Sequence, residues 1–204
     1  MITIKDQSEM CLIVKKSRFL GLACRADSAE QAQQIIDARR KQHRDARHHC
    51  FAWLLEDQSM RCSDDGEPQG TAGLPILEAI KKTGLSNVLV IVTRYFGGTL
   101  LGTGGLCRAY TQCAVQALET ANKVRLCSLS MFACTFDFPT FSRIRSVLTG
   151  AGYTMEEVHY GSDVRIQFGV SSGNEKTFLA HISNLTLGKT VPVPLASKRV
   201  TVDL

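Results

Sequence analysis

Two short, mainly apolar runs stand near the start of the chain, Met10–Lys15 and Arg18–Arg25, joined by the basic turn Lys16–Ser17. Runs of this length divided by a turn predict a pair of strands. Ser28 then stands three residues before Gln31, the capping-box spacing, and Ala32, Ile35 and Ile36 supply the buried stripe of a helix. That helix runs into Arg39, Arg40, Lys41, His43, Arg44 and Arg47, cations that a helix C-terminus tolerates well. His49–Leu55 is rich in aromatics and is expected to be a strand, and Ser63–Gly73 a loop. Pro75 can open a second helix and Gly84 close it behind Lys81 and Lys82. Asn87–Phe96 is a nearly unbroken apolar run, which predicts a strand buried on both faces. A glycine-rich loop is expected over Gly97–Gly105. It leads into a helix with the stripe Leu106, Tyr110, Cys113, Ala117, Leu118 and Ala121, ending near Asn122.

The texture changes at about Met131. Phe132–Phe138 reads as a strand, and Phe141, Ile144, Leu148 and Ala151 mark a helix. Tyr153–Tyr160 and Val164–Val170 form a hairpin pattern around Gly161 and Ser162. Glu175–Leu185 is a further helix and Lys198–Val202 a last strand. The order βαββαβ is that of a ferredoxin-like domain. The expected class is therefore α/β (α+β) with two domains, 1–126 and 127–204, the boundary falling between Ala121 and Met131.

Composition narrows the setting. With 44% hydrophobic and 21% charged residues, the chain can bury an ordinary core without staples. No apolar run is long enough for a bilayer, so no membrane partner is expected. The opening MITIKDQSEM lacks a basic start followed by an apolar stretch, so no secretory leader is expected. The eight cysteines form no CxxC pair and mostly sit in apolar segments, which fits a reducing, cytoplasmic location better than a zinc or redox site. The net charge of +5 is uneven: residues 1–130 hold 17 Lys and Arg against 13 Asp and Glu, whereas the remainder holds 7 against 6. An anionic partner is thus expected at the first domain.

Unusual residues concentrate in three segments of that domain: Ala46–Cys50, Ser63–Gly73 and Arg94–Gly105. Each lies beside the end of an expected strand, where α/β folds hold ligands. In the third segment Gly97, Gly98, Gly102, Thr103, Gly104 and Gly105 precede a helix, an arrangement that can cradle an anion. Arg94 stands before the loop and Arg108 inside the helix. A Walker A loop would need Lys where Thr103 stands, and the dinucleotide fingerprint would need glycine where Cys107 stands. The glycines could equally serve tight turns and close packing. Arg18, Arg39, Arg40, Arg44, Arg47 and Arg94, with Tyr95 and Phe96 near, could form a phosphate surface or simply a solvated helix end.

His48, Asp64, Asp65 and Glu67 are candidate catalytic residues. They are donor types that bind divalent cations, but their spacing matches no named metal motif, and adjacent aspartates in a glycine loop commonly cap helices. No resident metal or cofactor is expected. Cys50 could pair with His48 on one strand face, although no third group orients them, and a buried structural thiol is the expected role.

Taken together, KKSRF at Lys15–Phe19, ARHHCFAW at Ala46–Trp53, SDDGEPQGTAG at Ser63–Gly73, and RYFGG with LGTGG between Arg94 and Gly105 resemble the IMPACT family in its bacterial YigZ branch. The resemblance implies a first domain with the ribosomal-protein-like fold shared by GHMP-type kinases and domain IV of elongation factor G. It also implies a ferredoxin-like second domain similar to domain V of that factor. Eukaryotic members regulate translation by protein contact, through an additional N-terminal domain that these motifs do not include. The resemblance thus implies a translation-associated protein that binds RNA, the ribosome or a translation factor through its first domain. A hydrolase working through the His48, Asp64, Asp65 and Glu67 cluster, and a protein-interaction regulator without nucleic acid, are the alternatives.

Overall fold

A computed structural model describes residues 1–204, which divide into two units: Met1–Arg125 with Asp203–Leu204, and Leu126–Val202. The first unit is built from strands β1 (Ile2–Ile4), β2 (Ser8–Val14) and β3 (Ser17–Arg25), helix α1 (Ala29–Gln42), strands β4 (His48–Leu54) and β5 (Met60–Ser63), helix α2 (Gly73–Thr83), strand β6 (Val88–Tyr95) and helix α3 (Gly102–Thr120). Five of the strands form one antiparallel sheet in the order β2-β3-β6-β4-β5.

Strand β6 explains the layering. Val88, Val90 and Val92 pack into a cluster with α2 and α3, while Leu89 and Ile91 pack with Ala32, Ile35 and Ile36 of α1. Because successive side chains of a strand alternate between faces, a central strand covered on both sides must be apolar throughout. The same alternation runs through β4, where Cys50, Ala52 and Leu54 face α2 and α3, and Phe51 and Trp53 face α1.

The local signals hold where side chains act on neighbours. Ser28 caps α1 by accepting a bond from the Gln31 amide, and Gly84, in the left-handed region at φ 68°, ends α2. Several expectations need correction. Strand β1 is too short to show alternation; it forms because the Ile2–Ile4 backbone pairs with Lys123–Arg125. Strand β5 is largely polar, since it is the outer partner of a hairpin with β4. Gly102–Gly105 is the first turn of α3 and not a loop, as glycine at a helix start needs no side-chain support. Arg39, expected on a solvated helix end, is 3% exposed and donates to Glu9 Oε1 at 2.7 Å.

Strand β7 (Lys123–Phe136) begins well before Phe132, and its later part belongs to the second unit. There it is followed by α4 (Phe138–Gly150), β8 (Thr154–Tyr160), β9 (Val164–Ser171), α5 (Glu175–Thr186), the short β10 (Val193–Pro194) and β11 (Lys198–Asp203). Strand β9 lies between β7 and β8, while β10 and β11 pair with β7. Phe132, Phe136, Phe168 and Phe178 fill the core with Ile144 and Ile182 from the two helices. Asp137 caps α4 by accepting from the Thr140 amide. No helix of the chain is long and apolar enough to cross a membrane.

Candidate functional site

The register of the first sheet decides where the unusual residues meet. Arg94 of β6 lies opposite Phe19 of β3 on one side and His48 of β4 on the other. All three project from the face that α2 and α3 cover. Beyond these strand ends the α3 N-terminus closes a cleft of about 450 Å³. Its polar lining is Arg47, His48, Glu67, Arg94 and Thr103, and its apolar lining includes Pro68, Phe96, Leu100 and Leu106.

The loop Ser63–Gly73 is held closed by Asp64. Its carboxylate accepts from the Gly70, Ala72 and Gly73 amides at 2.8–2.9 Å. Helix α2 has no cap from its own N-cap residue, Ala72, so Asp64 supplies one from the start of the loop. Burial pushes the Asp64 pKa up, but these amide bonds outweigh it and hold the carboxyl below the usual range. A Cβ on Gly73 would lie 2.8 Å from Ser63 backbone atoms, so the two ends of the loop can meet only at glycine.

Asp65 is also committed. It accepts from the His49 amide at 2.7 Å and from Arg40 Nη2 at 2.6 Å. Its carbonyl lies 2.9 Å from His48 Nδ1. A carbonyl can only accept, so neutral His48 carries its proton on Nδ1, which leaves Nε2 as an acceptor on a residue that lines the cleft.

Glu67 and Arg94 form a buried ion pair. Their side chains are 4% and 6% exposed, and Arg94 Nη1 donates to Glu67 Oε1 at 2.7 Å. The Tyr110 hydroxyl donates to the same oxygen at 2.7 Å. Arg94 Nη2 reaches Ser17 Oγ at 3.3 Å, and the guanidinium lies 5.4 Å from the Phe19 ring centroid and 5.5 Å from that of Phe96. Its Nε is buried without a hydrogen-bond partner. The Ser17 hydroxyl also accepts from the Gly97 amide, tying the β2–β3 turn to the segment after β6. A Cβ on Gly97 would fall 2.0 Å from the Lys16 carbonyl carbon, so glycine is required there.

The α3 N-terminus is the main uncommitted feature. Leu101 provides no side-chain cap, and no acidic residue stands in the first turn. Gly102, Thr103 and Gly104 are exposed. The positive end of this 19-residue helix therefore opens beside Arg47 with no side-chain cap from Leu101.

Not every expected residue joins the cleft. Gly102 and Thr103 line it, but Gly105 and Arg108 line a separate hollow of about 240 Å³ with Val14 and Lys15. Arg18 lies 5.5 Å over the Tyr95 ring, whose hydroxyl bonds His43 on the α1 side of the sheet. Gly97 and Gly98 follow Phe96 in the chain but do not line the cleft, Gly98 standing at φ 81°. Of the acidic group, Asp64 and Asp65 bind the protein's own backbone and Arg40, and only Glu67 borders the cleft. No three or more His, Cys, Asp or Glu side chains gather into a cluster of metal-ligating geometry. Cys50 donates its thiol to the Asp64 carbonyl, and burial pushes its pKa well above the ordinary value, which leaves it inert. Tyr110 and Ser17 are the working residues that the sequence hid: one reads as helix stripe, the other as turn.

A family model described as Impact N-terminal domain matches residues 15–118, and one described as a domain of unknown function (DUF1949) matches 134–189. The chain is 34% identical over 190 residues to the Bacillus subtilis IMPACT family member YvyE, covering 92% of this chain and 88% of that one. It is 32% identical to the Escherichia coli member YigZ, covering 86% and 88%, and 38% identical to a Thermus thermophilus member, covering 87% and 97%. A solved structure described as that of a hypothetical protein superposes with a TM-score of 0.66 at 30% identity, over 96% of this chain and 97% of the other. With a family model matching residues 15–118 and relatives matching along nearly its whole length, the chain belongs to the IMPACT family and resembles its bacterial, YigZ-like members.

Proposed function

We propose that this protein is a translation-associated regulator that binds RNA, on or off the ribosome, through the cleft face of its first unit. Membership of the family supports a translation-related regulatory role in general. The observation that carries the RNA reading is the uncapped α3 N-terminus, which opens beside Arg47 with no acid in its first turn. Free helix amides and an exposed arginine favour an anion, and phosphate fits both. Lys15 and Arg108 extend the positive surface along α3. The hydrolase alternative is weaker, because Asp64 and Asp65 are spent on internal hydrogen bonds.

Pelleting of the purified protein with ribosomes at stepped salt tests this. Binding should fall steeply as salt rises, because phosphate contacts release counterions. Arg47 is exposed, so Arg47→Ala should weaken binding at every salt without lowering the melting temperature, and reduce the salt slope by roughly one. Absent or salt-insensitive pelleting would overturn the reading.

A further inference from the structure

The cleft is better shaped for one nucleotide than for a continuous phosphate track. We propose that it takes a single unpaired nucleotide of an RNA chain, its phosphate on the first turn of α3 and its base against Phe96. This rests on the RNA reading above and adds the unit that is recognised.

The anionic end is set by observations from separate elements. The amides of α3 from Gly102 onward have no side-chain cap, and Arg47 borders the same space. Arg94 also borders it, and its Nε has no hydrogen-bond partner in a residue only 5% exposed. A buried donor left unpaired is unusual, and it marks the Arg94 wall of the cleft as incompletely satisfied by the protein itself. Glu67 is the one carboxylate in the lining, and its charge is balanced by Arg94 and by the Tyr110 hydroxyl.

The other end is apolar. Phe96 is 48% exposed and Leu100 84% exposed at the mouth of the cleft, although large apolar groups usually retreat from water. The Arg94 guanidinium lies over the Phe96 ring, which fixes the ring while leaving nearly half the residue open. Bases stack on such rings without regard to sequence. His48 Nε2, an acceptor because Nδ1–H is bound to the Asp65 carbonyl, offers a partner for a base amine or a ribose hydroxyl. The volume of about 450 Å³ lies within the usual span for one small ligand. A duplex could not present a base to it without flipping one out. Leu101 borders both this cleft and the hollow holding Lys15 and Arg108, so the next phosphates of the chain have cations to meet.

The test titrates the full chain with adenosine monophosphate, inorganic phosphate, a short single-stranded RNA and a duplex RNA, and repeats the series with Gly104→Asp and Phe96→Ala. A Cβ on Gly104 meets nothing nearer than Arg108 Nη1 at 3.9 Å, so aspartate fits. It should keep or raise the melting temperature, since an acid suits a helix start, yet cut binding of every anion at least about tenfold. Phe96→Ala should weaken the monophosphate and the single strand about tenfold and leave inorganic phosphate unchanged. The monophosphate should bind more tightly than phosphate, and the single strand more tightly than the duplex.

Equal binding of monophosphate and phosphate, with no effect of Phe96→Ala, would overturn the nucleotide proposal. So would a duplex that binds as well as the single strand. Either result leaves salt-sensitive ribosome pelleting intact, so the two readings fail separately.

Discussion

Asp64 sits in the acidic loop Ser63–Gly73, yet its geometry is that of a structural lock, and this can be measured. In Asp64→Ala the amides of Gly70, Ala72 and Gly73 lose their shared acceptor. A hydrogen bond to a charged group contributes about 1.5–3 kcal/mol, and an ordinary helix cap about 1 kcal/mol. Bonds that share one carboxylate are not additive, so the expected loss is about 2–4 kcal/mol at neutral pH. Asp64→Asn keeps Oδ1, which serves Ala72 and Gly73, but its amide group faces the Gly70 N–H as a second donor. It should cost about half as much, on the same scale. Urea unfolding followed by Trp53 fluorescence reads this directly, since Trp53 is the sole tryptophan and lies buried in the first unit. The pH dependence has a definite sign. The folded state holds the Asp64 carboxyl below its ordinary value of 3.8, so its stabilisation is fully present above that value. It is lost as pH falls through the lower, folded value. The gap between wild type and Asp64→Ala should thus be widest near neutrality and narrow below about pH 4. A variant within about 0.5 kcal/mol of wild type at neutral pH, the usual range of a surface change, would refute the reasoning. So would a gap that stays constant down to pH 3.

The ion pair and the glycine contact give two further expectations. Arg94→Ala leaves Glu67 charged and buried, at a cost of about 3–5 kcal/mol in urea unfolding, whereas Arg94→Met with Glu67→Gln should recover much of that loss. Full stability of the single variant would show that water reaches Glu67. Gly97→Ala should destabilise the first unit more than Gly98→Ala, because its new methyl would overlap Lys16 backbone while Gly98 has open space and suffers only its positive φ. Limited proteolysis at the β2–β3 turn compares them, and equal cleavage would count against the contact.

What could be read beforehand depended on range. Ser28 and Gln31 sit in one turn, and Gly84 acts on the helix it ends, so both were visible as local spacing. The apolar run Asn87–Phe96 announced a strand covered on both faces, and the layers of α1 against α2 and α3 around Val88–Tyr95 bear that out. The misreadings came from partners distant in sequence. Arg39 looks like a solvated cation until Glu9 arrives beside it from β2. Tyr110 looks like one residue of an apolar stripe, and only the fold places its hydroxyl on Glu67. In the glycine segment, spacing marked a special backbone, but the difference between loop and helical first turn lay in the packing of Leu106 and Ala109 against the sheet. The same long-range pairing turned the acidic loop inward: Asp65 meets Arg40 and the His49 amide, which no motif announces.

The central place of β6 bears on how the chain is made. On the ribosome, the β2–β3 and β4–β5 hairpins emerge first, each complete in itself. Their inner edges stay unpaired until Val88–Tyr95 follows and joins β3 to β4. Pairings between distant segments form slowly, and open strand edges invite association with other chains. During synthesis the nascent protein thus passes through an interval in which two separate sticky ribbons await a third. A stall just before Val88 would prolong that interval, and chaperone demand should peak there and fall once β6 clears the exit tunnel.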